Sequence, residues 1–437
     1  MNQSTKWLYF WVVFVLATFQ FGLVFSFGAL FPSIRDTFLT DRPTTATVQA
    51  LLMGITTSFG VVSGVIINKF GLPVALLVSS ICMSSGFAVS FIVTDIWYLY
   101  ATIGVLGGIG TSLFYVSFLT VINRTFKGKQ RAWCIAIQGP CPSIAGLFYP
   151  YLLDELVSTY GVRGTFLVIG GVFCNSFVFS LMVWFRRSDF TLQPEDKLAE
   201  QEKHYYNTMS NNPKKEQMCA SVGSLFKGVM TKRYICLLVA ATVSVGTADA
   251  FLDFVFDISH WKGFDNSEAN MVFVFFNICG IIFCIVPGLI QQVLDIDTYL
   301  LPFGLALFAC SGCLIVMFAD TYVMYAIGLS CMSAVFGLVA CAFIICANLV
   351  RLEHVNVAIG LIMTLGGLLS IGMGPIYGVI RDNTGSYNSV FPIFATAQGI
   401  AAVLLIEDFI SRKLKKQPMK DVNNVDNISE ETKIIHV

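Results

Sequence analysis

Charge is what this sequence has least of. Lysine, arginine, aspartate and glutamate together make up 12% of its 437 residues, and they gather in short breaks and one long stretch. Soluble domains carry about twice that share, so an ordinary water-soluble fold is excluded. The 27 basic and 27 acidic residues cancel, which argues against a nucleic-acid partner. Histidine is scarcer still. His204, His260, His354 and His436 all fall in predicted loops or tails. None has metal-ligand spacing or a nucleophile–base pattern beside it, so no metal, no cofactor and no enzymatic chemistry are expected.

Nor is there a disulfide framework. Of 13 cysteines, nearly all sit inside apolar runs, as Cys82, Cys174, Cys279 and Cys341 do, rather than in loops where bridges form. Cys310 and Cys313 make a CxxC, but without a second ligand pair they read as small residues on one helix face. A secretory leader is not expected either, because the apolar run over 7–31 is too long for a signal peptide.

What the chain does have is hydrophobic length. Apolar residues make up 56% of it and its mean hydropathy is +0.73. A helix needs about 20 apolar residues to cross about 30 Å of hydrocarbon. Candidate spans lie at 7–31, 45–67, 72–93, 97–122, 132–153 and 164–185, then at 234–256, 269–293, 300–318, 322–350, 355–380 and 389–406. The fold expected is an all-α polytopic membrane protein of twelve spans in two six-helix halves. Residues 1–185 form the first half, 186–233 a central loop, 234–410 the second half and 411–437 a tail.

The side on which the loops lie follows from their basic residues. With both termini in the cytoplasm, the outer loops hold only Arg35, Arg42, Arg163, Lys262 and Arg381 of the 27 Lys and Arg. The sequons at Asn2, Asn123 and Asn427 then fall on the inner side, where no glycan is expected. Glycine pairs at four-residue spacing, such as Gly60/Gly64, Gly104/Gly108 and Gly374/Gly378, allow close helix packing.

Several motifs resemble a known family. Two halves of six spans around a hydrophilic loop resemble a major facilitator transporter. The stretch Gly64-Val65-Ile66-Ile67-Asn68-Lys69-Phe70-Gly71 is similar to that superfamily's G-x-x-x-D-R-x-G signature, with Asn for the acid and Lys for the Arg. Ser26-Phe27-Gly28-Ala29-Leu30-Phe31-Pro32 and Leu106-Gly107-Gly108-Ile109-Gly110 resemble helices 1 and 4 of the monocarboxylate transporter family. So do the basic run from Phe126 through Arg131 and the stretch Tyr160-Gly161-Val162-Arg163-Gly164. The most specific match is Gly374-Pro375, Gly378, then Asp382-Asn383-Thr384-Gly385-Ser386-Tyr387, resembling the end of that family's helix 11. The resemblance implies solute transport by rocking of the two halves, with Gly64, Asn68, Lys69, Gly71, Arg131, Gly374, Pro375 and Asp382 as conformational positions. It also implies a co-transported proton and a single-span chaperone glycoprotein as partners, beside the lipid bilayer itself.

Departures from that family bear on the cargo. Its lactate-type members carry a helix 1 lysine where this chain has Phe25, and an arginine in helix 8 where it has Val286 or Pro287. An anion entering the membrane needs a fixed cation or focused dipoles to replace its water, and no Lys or Arg lies deep in any predicted span. What the core offers is acidic and aromatic. Asp249, Asp253 and Asp257 recur at i, i+4 and i+8 and so share one helix face. An intramembrane carboxylate is costly and marks an ion or substrate pathway by default, so Asp249 and Asp253 are substrate or coupling candidates. Asp257, nearer the outer headgroups, is expected to be an ordinary surface charge. Phe25, Tyr115 and Tyr149, with Phe21 and Phe27, are candidates to line a cavity for an amphipathic solute. A small organic solute other than lactate is the expected cargo: an amino acid, an aromatic hormone, or a creatine- or carnitine-like molecule. The alternative is a non-transporting ligand sensor or scaffold of the same fold, using the central loop and the Ile435-His436-Val437 tail.

Overall fold

A computed structural model describes residues 3–126, 137–186, 230–294, 300–349 and 355–407, with positions 130 and 134 between them. All regular structure among the described residues is helical. Ten helices are long and apolar enough to cross a membrane, or eleven when the bent pair Arg42–Ser58 and Gly60–Ile67 counts as one span. Most of the central loop, the tail, and Arg131 of the basic loop lie outside the described residues.

The first span is longer than its hydropathy suggested. It comprises α1 (Gln3–Ser26), a short tight-wound turn over Phe27–Leu30, and α2 (Phe31–Phe38). Leu39 then ends it in a left-handed conformation with φ 52°. The second span is bent, α3 (Arg42–Ser58) leading to α4 (Gly60–Phe70). Asp41 starts α3 by accepting the Thr44 amide at 3.3 Å, with Pro43 in the first turn, a pairing that satisfies one orphan amide and presets φ. Next come α5 (Leu72–Val89), α6 (Ile96–Leu99) and α7 (Gly108–Thr125).

The predicted fifth span is the least regular. After α8 (Cys141–Ala145), α9 runs over Tyr149–Phe173 and α10 over Asn175–Phe185. Within α9, Gly161 adopts φ 68°, so the fifth span continues past residue 153 to this break and the sixth begins beyond it. In the second half, α11 (Lys232–Leu252) is capped by Thr231 accepting the Tyr234 amide. It is followed by α12 (Val255–Trp261), α13 (Asn266–Leu294), α14 (Leu300–Met317) and α15 (Tyr322–Met332). Then come α16 (Ala334–Leu349), α17 (Val355–Thr384) and a last span over Tyr387–Glu407. Cys310 and Cys313 of α14 point their thiols at the carbonyls of Ala395 and Phe391 in that last span, at 3.4 and 3.2 Å. They are packing residues.

Two apolar cores follow the two halves, one built from residues 9–183 and one mainly from residues 234–405. In lipid there is no hydrophobic drive between helices, so close approach of small residues sets where the halves meet. That seam is α3 against α17. A Cβ on Gly378 would meet the Pro43 nitrogen at 2.7 Å, one on Gly374 the Ala50 Cβ at 2.9 Å, and one on Gly367 the Gly54 carbonyl at 2.6 Å. The Thr364 hydroxyl donates to the Ser58 carbonyl further along. A second seam brings Gly146 beside the Asn277 side chain and Gly280 beside Ser143.

Candidate transport site

The decisive element is α11, because it stops in the wrong place for a simple span. The helix ends at Leu252, Asp253 and Phe254 form a turn, and α12 starts at Val255. Across this break the Phe254 amide reaches back to Phe251 and the Ile258 amide to Phe254. Among the described residues no backbone amide reaches the Asp253 carbonyl across the break. A helix end buried without partners is unusual, and a broken helix at membrane depth is tolerated chiefly where it lines a cavity or an ion path.

The three acids on this segment are all buried, at 7% exposure for Asp249, 1% for Asp253 and 5% for Asp257. For Asp257 this corrects the expectation of a surface charge. Arg35 Nη1 donates to Asp257 Oδ1 at 3.1 Å and Arg42 Nε to Asp257 Oδ2 at 2.8 Å, while the Tyr387 hydroxyl donates to the same carboxylate. Arg42 also reaches Asp382, by its backbone amide at 3.2 Å and its Nη1 at 3.1 Å. Residues of the first half thus hold residues of the second through charge-assisted bonds. Beneath them Phe31 packs edge-on to Phe254 at 5.1 Å, and Phe254 lies 6.0 Å from Tyr387. This end of the bundle, opposite the one bearing Lys69 and Lys232, is closed by an ionic layer over an aromatic one.

Asp249 and Asp253 are the opposite case. Asp249 Oδ2 and both Asp253 oxygens have no hydrogen-bond partner, and neither residue takes part in an ion pair among the described residues. Asp253 Oδ2 lies 3.1 Å from where a Cβ on Gly374 would be, so it faces the seam between the halves. Gln49 of α3, 3% exposed, also leaves its Oε1 unpartnered. Charged or polar groups left so in a dry interior cost several kcal/mol in general.

The remaining predicted positions are spread more widely. Phe25 packs 6.2 Å from Phe336 of α16 and so touches both halves. Tyr115 is 39% exposed, 5.0 Å from the Phe21 ring, and stands beside Gln138 and Cys284. Tyr149 is buried and its hydroxyl donates to the Phe19 carbonyl at 2.6 Å, so it pins α9 to α1. Of the conformational positions, Gly71 adopts φ 89° between α4 and α5, a value L side chains rarely reach. Lys69 is exposed and lies over the Phe70 ring at 5.4 Å. Gly64 faces open space, and Asn68 sits in α4. Pro375 lies inside α17, where it removes one backbone donor and loosens the helix beside Gly374. Sequence reasoning missed Gln49 and the Arg35–Arg42 pair. The first carried a signal, an amide inside an apolar run. The arginines carried none beyond being outer-loop charges.

This architecture is that of a solute carrier built of many helical spans, and comparison with known proteins bears out that class. Residues 10–375 match the Major Facilitator Superfamily, and the chain belongs to it. Within it the chain is related to the monocarboxylate transporters. It is 22% identical to monocarboxylate transporter 12 of Xenopus laevis over 92% of this chain and 88% of that one. With monocarboxylate transporter 6 of Mus musculus it shares 21% identity over 98% and 92%. Among solved structures it resembles a D-xylose–proton symporter with a TM-score of 0.66 at 12% identity, covering 90% of this chain and 96% of that one. It resembles the nucleoside transporter NupG with a TM-score of 0.68 at 12% identity, covering 91% and 99%. The protein is a multi-pass membrane transporter of the secondary type.

Proposed function

We propose that this carrier moves a neutral, zwitterionic or cationic organic solute across the plasma membrane by alternating access, with both termini cytoplasmic. Lactate is not its principal substrate. The observation that carries this reading is the pair Asp249 and Asp253, both buried with orphaned carboxylate oxygens, Asp253 facing the seam of the halves at Gly374. The position of the lactate carriers' helix 1 lysine holds Phe25, which is spent on packing against Phe336. A core of negative sign with an aromatic lining suits an amine or a neutral ring better than a lone carboxylate. Asp249 either carries a coupling proton or faces the amine of the cargo, and Tyr115 lines the path.

The test is uptake of a labelled panel into proteoliposomes: lactate, amino acids, creatine- and carnitine-like solutes and aromatic amines, with and without a pH gradient. Saturable uptake of an amine or zwitterion above that of lactate is expected. Lactate uptake equal to the best solute would defeat the reading of the cargo, and binding without flux would identify a sensor instead. Orientation is tested separately by epitopes at the N-terminus, in the 186–233 loop and at the C-terminus, which should be reached only in permeabilised cells.

A further inference from the structure

The end of the bundle closed over Asp257 also holds a cavity of about 350 Å³, a size that suits a small organic molecule. Both halves line it: Pro32 and Arg35 of α2 and Asp154 of α9 on one side, Phe256 and His260 of α12 and Asn270 of α13 on the other. Asp36 and Asp154 in its wall are exposed, so it opens at the surface of the molecule. Some of its polar groups are left over by the fold. Asn270 is only 4% exposed, yet neither its side-chain amide nor the Asp154 carboxylate bonds to another described residue. His260 uses Nδ1 on the Phe264 carbonyl at 3.1 Å. A carbonyl only accepts, so Nδ1 carries the proton and the neutral ring keeps Nε2 as an acceptor.

The wall is also negative. Asp36, Asp154 and Asp257 line the cavity against a single guanidinium, that of Arg35. Arg35 is spent on Asp36 and Asp257, and Arg42, which also holds Asp257, is shared with Asp382. Asp154 is the carboxylate left uncompensated. No cluster of three or more His, Cys, Asp or Glu that could hold a metal ion exists among the described residues, so the cation that suits this wall is organic. A primary ammonium carries three N–H donors and no acceptor, and Pro32 and Phe256 offer apolar surface to a short carbon chain. We propose that the cavity binds a small primary amine as its ammonium ion, Asp154 supplying the charge and His260 and Asn270 the neutral acceptors. Because Asp154 belongs to the first half and His260 and Asn270 to the second, the bound amine favours the arrangement in which they meet, the one closed over Asp257. An amine held there slows the cycle without being carried. That effect on flux rests on the transporter reading above; the binding itself does not.

The experiment follows thermal unfolding of the purified full chain in detergent, in propylammonium chloride against tetramethylammonium chloride at equal ionic strength and fixed pH. The second cation has the same charge and no N–H. Propylammonium is expected to raise Tm by roughly 2 °C at saturation, with tetramethylammonium giving no rise. Asp154→Asn removes an exposed, unpaired charge, so without ligand it should unfold within about 1 °C of wild type, which shows that it folds. Its half-saturating propylammonium concentration should rise about tenfold, and that of Asn270→Leu several-fold. Equal Tm in the two cations, or an undiminished response in both variants, would overturn the proposal. So would a response lost in Asp249→Asn and kept in Asp154→Asn, which would put the amine at the transport site instead. In proteoliposomes, propylammonium should slow solute uptake by wild type and not by Asp154→Asn. Solute uptake by a protein that binds no propylammonium leaves the transporter reading standing and removes this site. Binding at Asp154 without uptake of any solute does the reverse.

Discussion

Asp253 and Asp257 lie one helical turn apart and are almost equally buried, yet their surroundings are opposite. Asp257 accepts bonds from Arg35, Arg42 and Tyr387; Asp253 accepts none. A buried carboxylate with its charge neutralised by two guanidinium groups is a fastener, because opening it leaves uncompensated charges behind. A buried carboxylate with none is tied to no other element by charge. The break at Asp253–Phe254 lies between the two in the chain, and at it Phe254 packs against Phe31 and Tyr387. Burial alone therefore says little about the role of an intramembrane acid. The partners decide it.

The contrast breaks most visibly at Asp249, which belongs to the open set. Asp249→Asn is nearly isosteric and is expected to cut uptake about tenfold or more at matched surface abundance. A pH series then separates the two roles. Loss of pH-driven accumulation with exchange retained identifies a proton carrier, and loss of affinity at every pH identifies a counter-charge for an amine. Unchanged uptake would remove Asp249 from the mechanism.

Asp257→Asn tests the fastened set. Both arginines are about a quarter exposed, so solvent screening reduces the full cost of a broken buried pair. The closed end should lose about 2 kcal/mol, some thirtyfold in the ratio of closed to open. A cysteine at Phe31, beneath the ionic layer, should then react faster with a membrane-impermeant thiol reagent added from the Arg42 side. An unchanged labelling rate would mean that Asp257 does not hold the closed state.

Smaller effects come from positions that touch neither acid. Gly71→Leu forces a bulky residue into φ 89°, a strain of about 1–3 kcal/mol, and transport per molecule at the surface should fall several-fold. Normal transport in that variant would remove the 64–71 turn from the cycle. The mildest change is expected from Phe25→Lys, which restores a cation where lactate carriers have one. A small gain of monocarboxylate uptake is expected, and its absence in a variant shown to fold would contradict the alignment at that position.

Much of the class of this protein was legible without any fold. Spans follow from local hydropathy and length, and the Gly374-to-Tyr387 motif pointed to the family that the comparisons then bore out. The three acids at i, i+4, i+8 were legible too, but not as one helix face: α11 ends at Leu252, so Asp253 lies in the turn and Asp257 in α12. The boundaries of the first and fifth spans were not. Leu39 and Gly161 end those helices by backbone conformation, which hydropathy does not record.

By itself the sequence determined an all-helical chain of many spans, because each span's stability in lipid depends on its own residues and its own backbone bonds. Only the tertiary structure decided which acid is tied and which is open. The Arg35–Asp257 and Arg42–Asp382 contacts join residues 222 and 340 positions apart. Electrostatic pairing falls off over a few ångströms in space whatever the separation along the chain. A carboxylate's role is fixed by neighbours that the order of residues does not reveal.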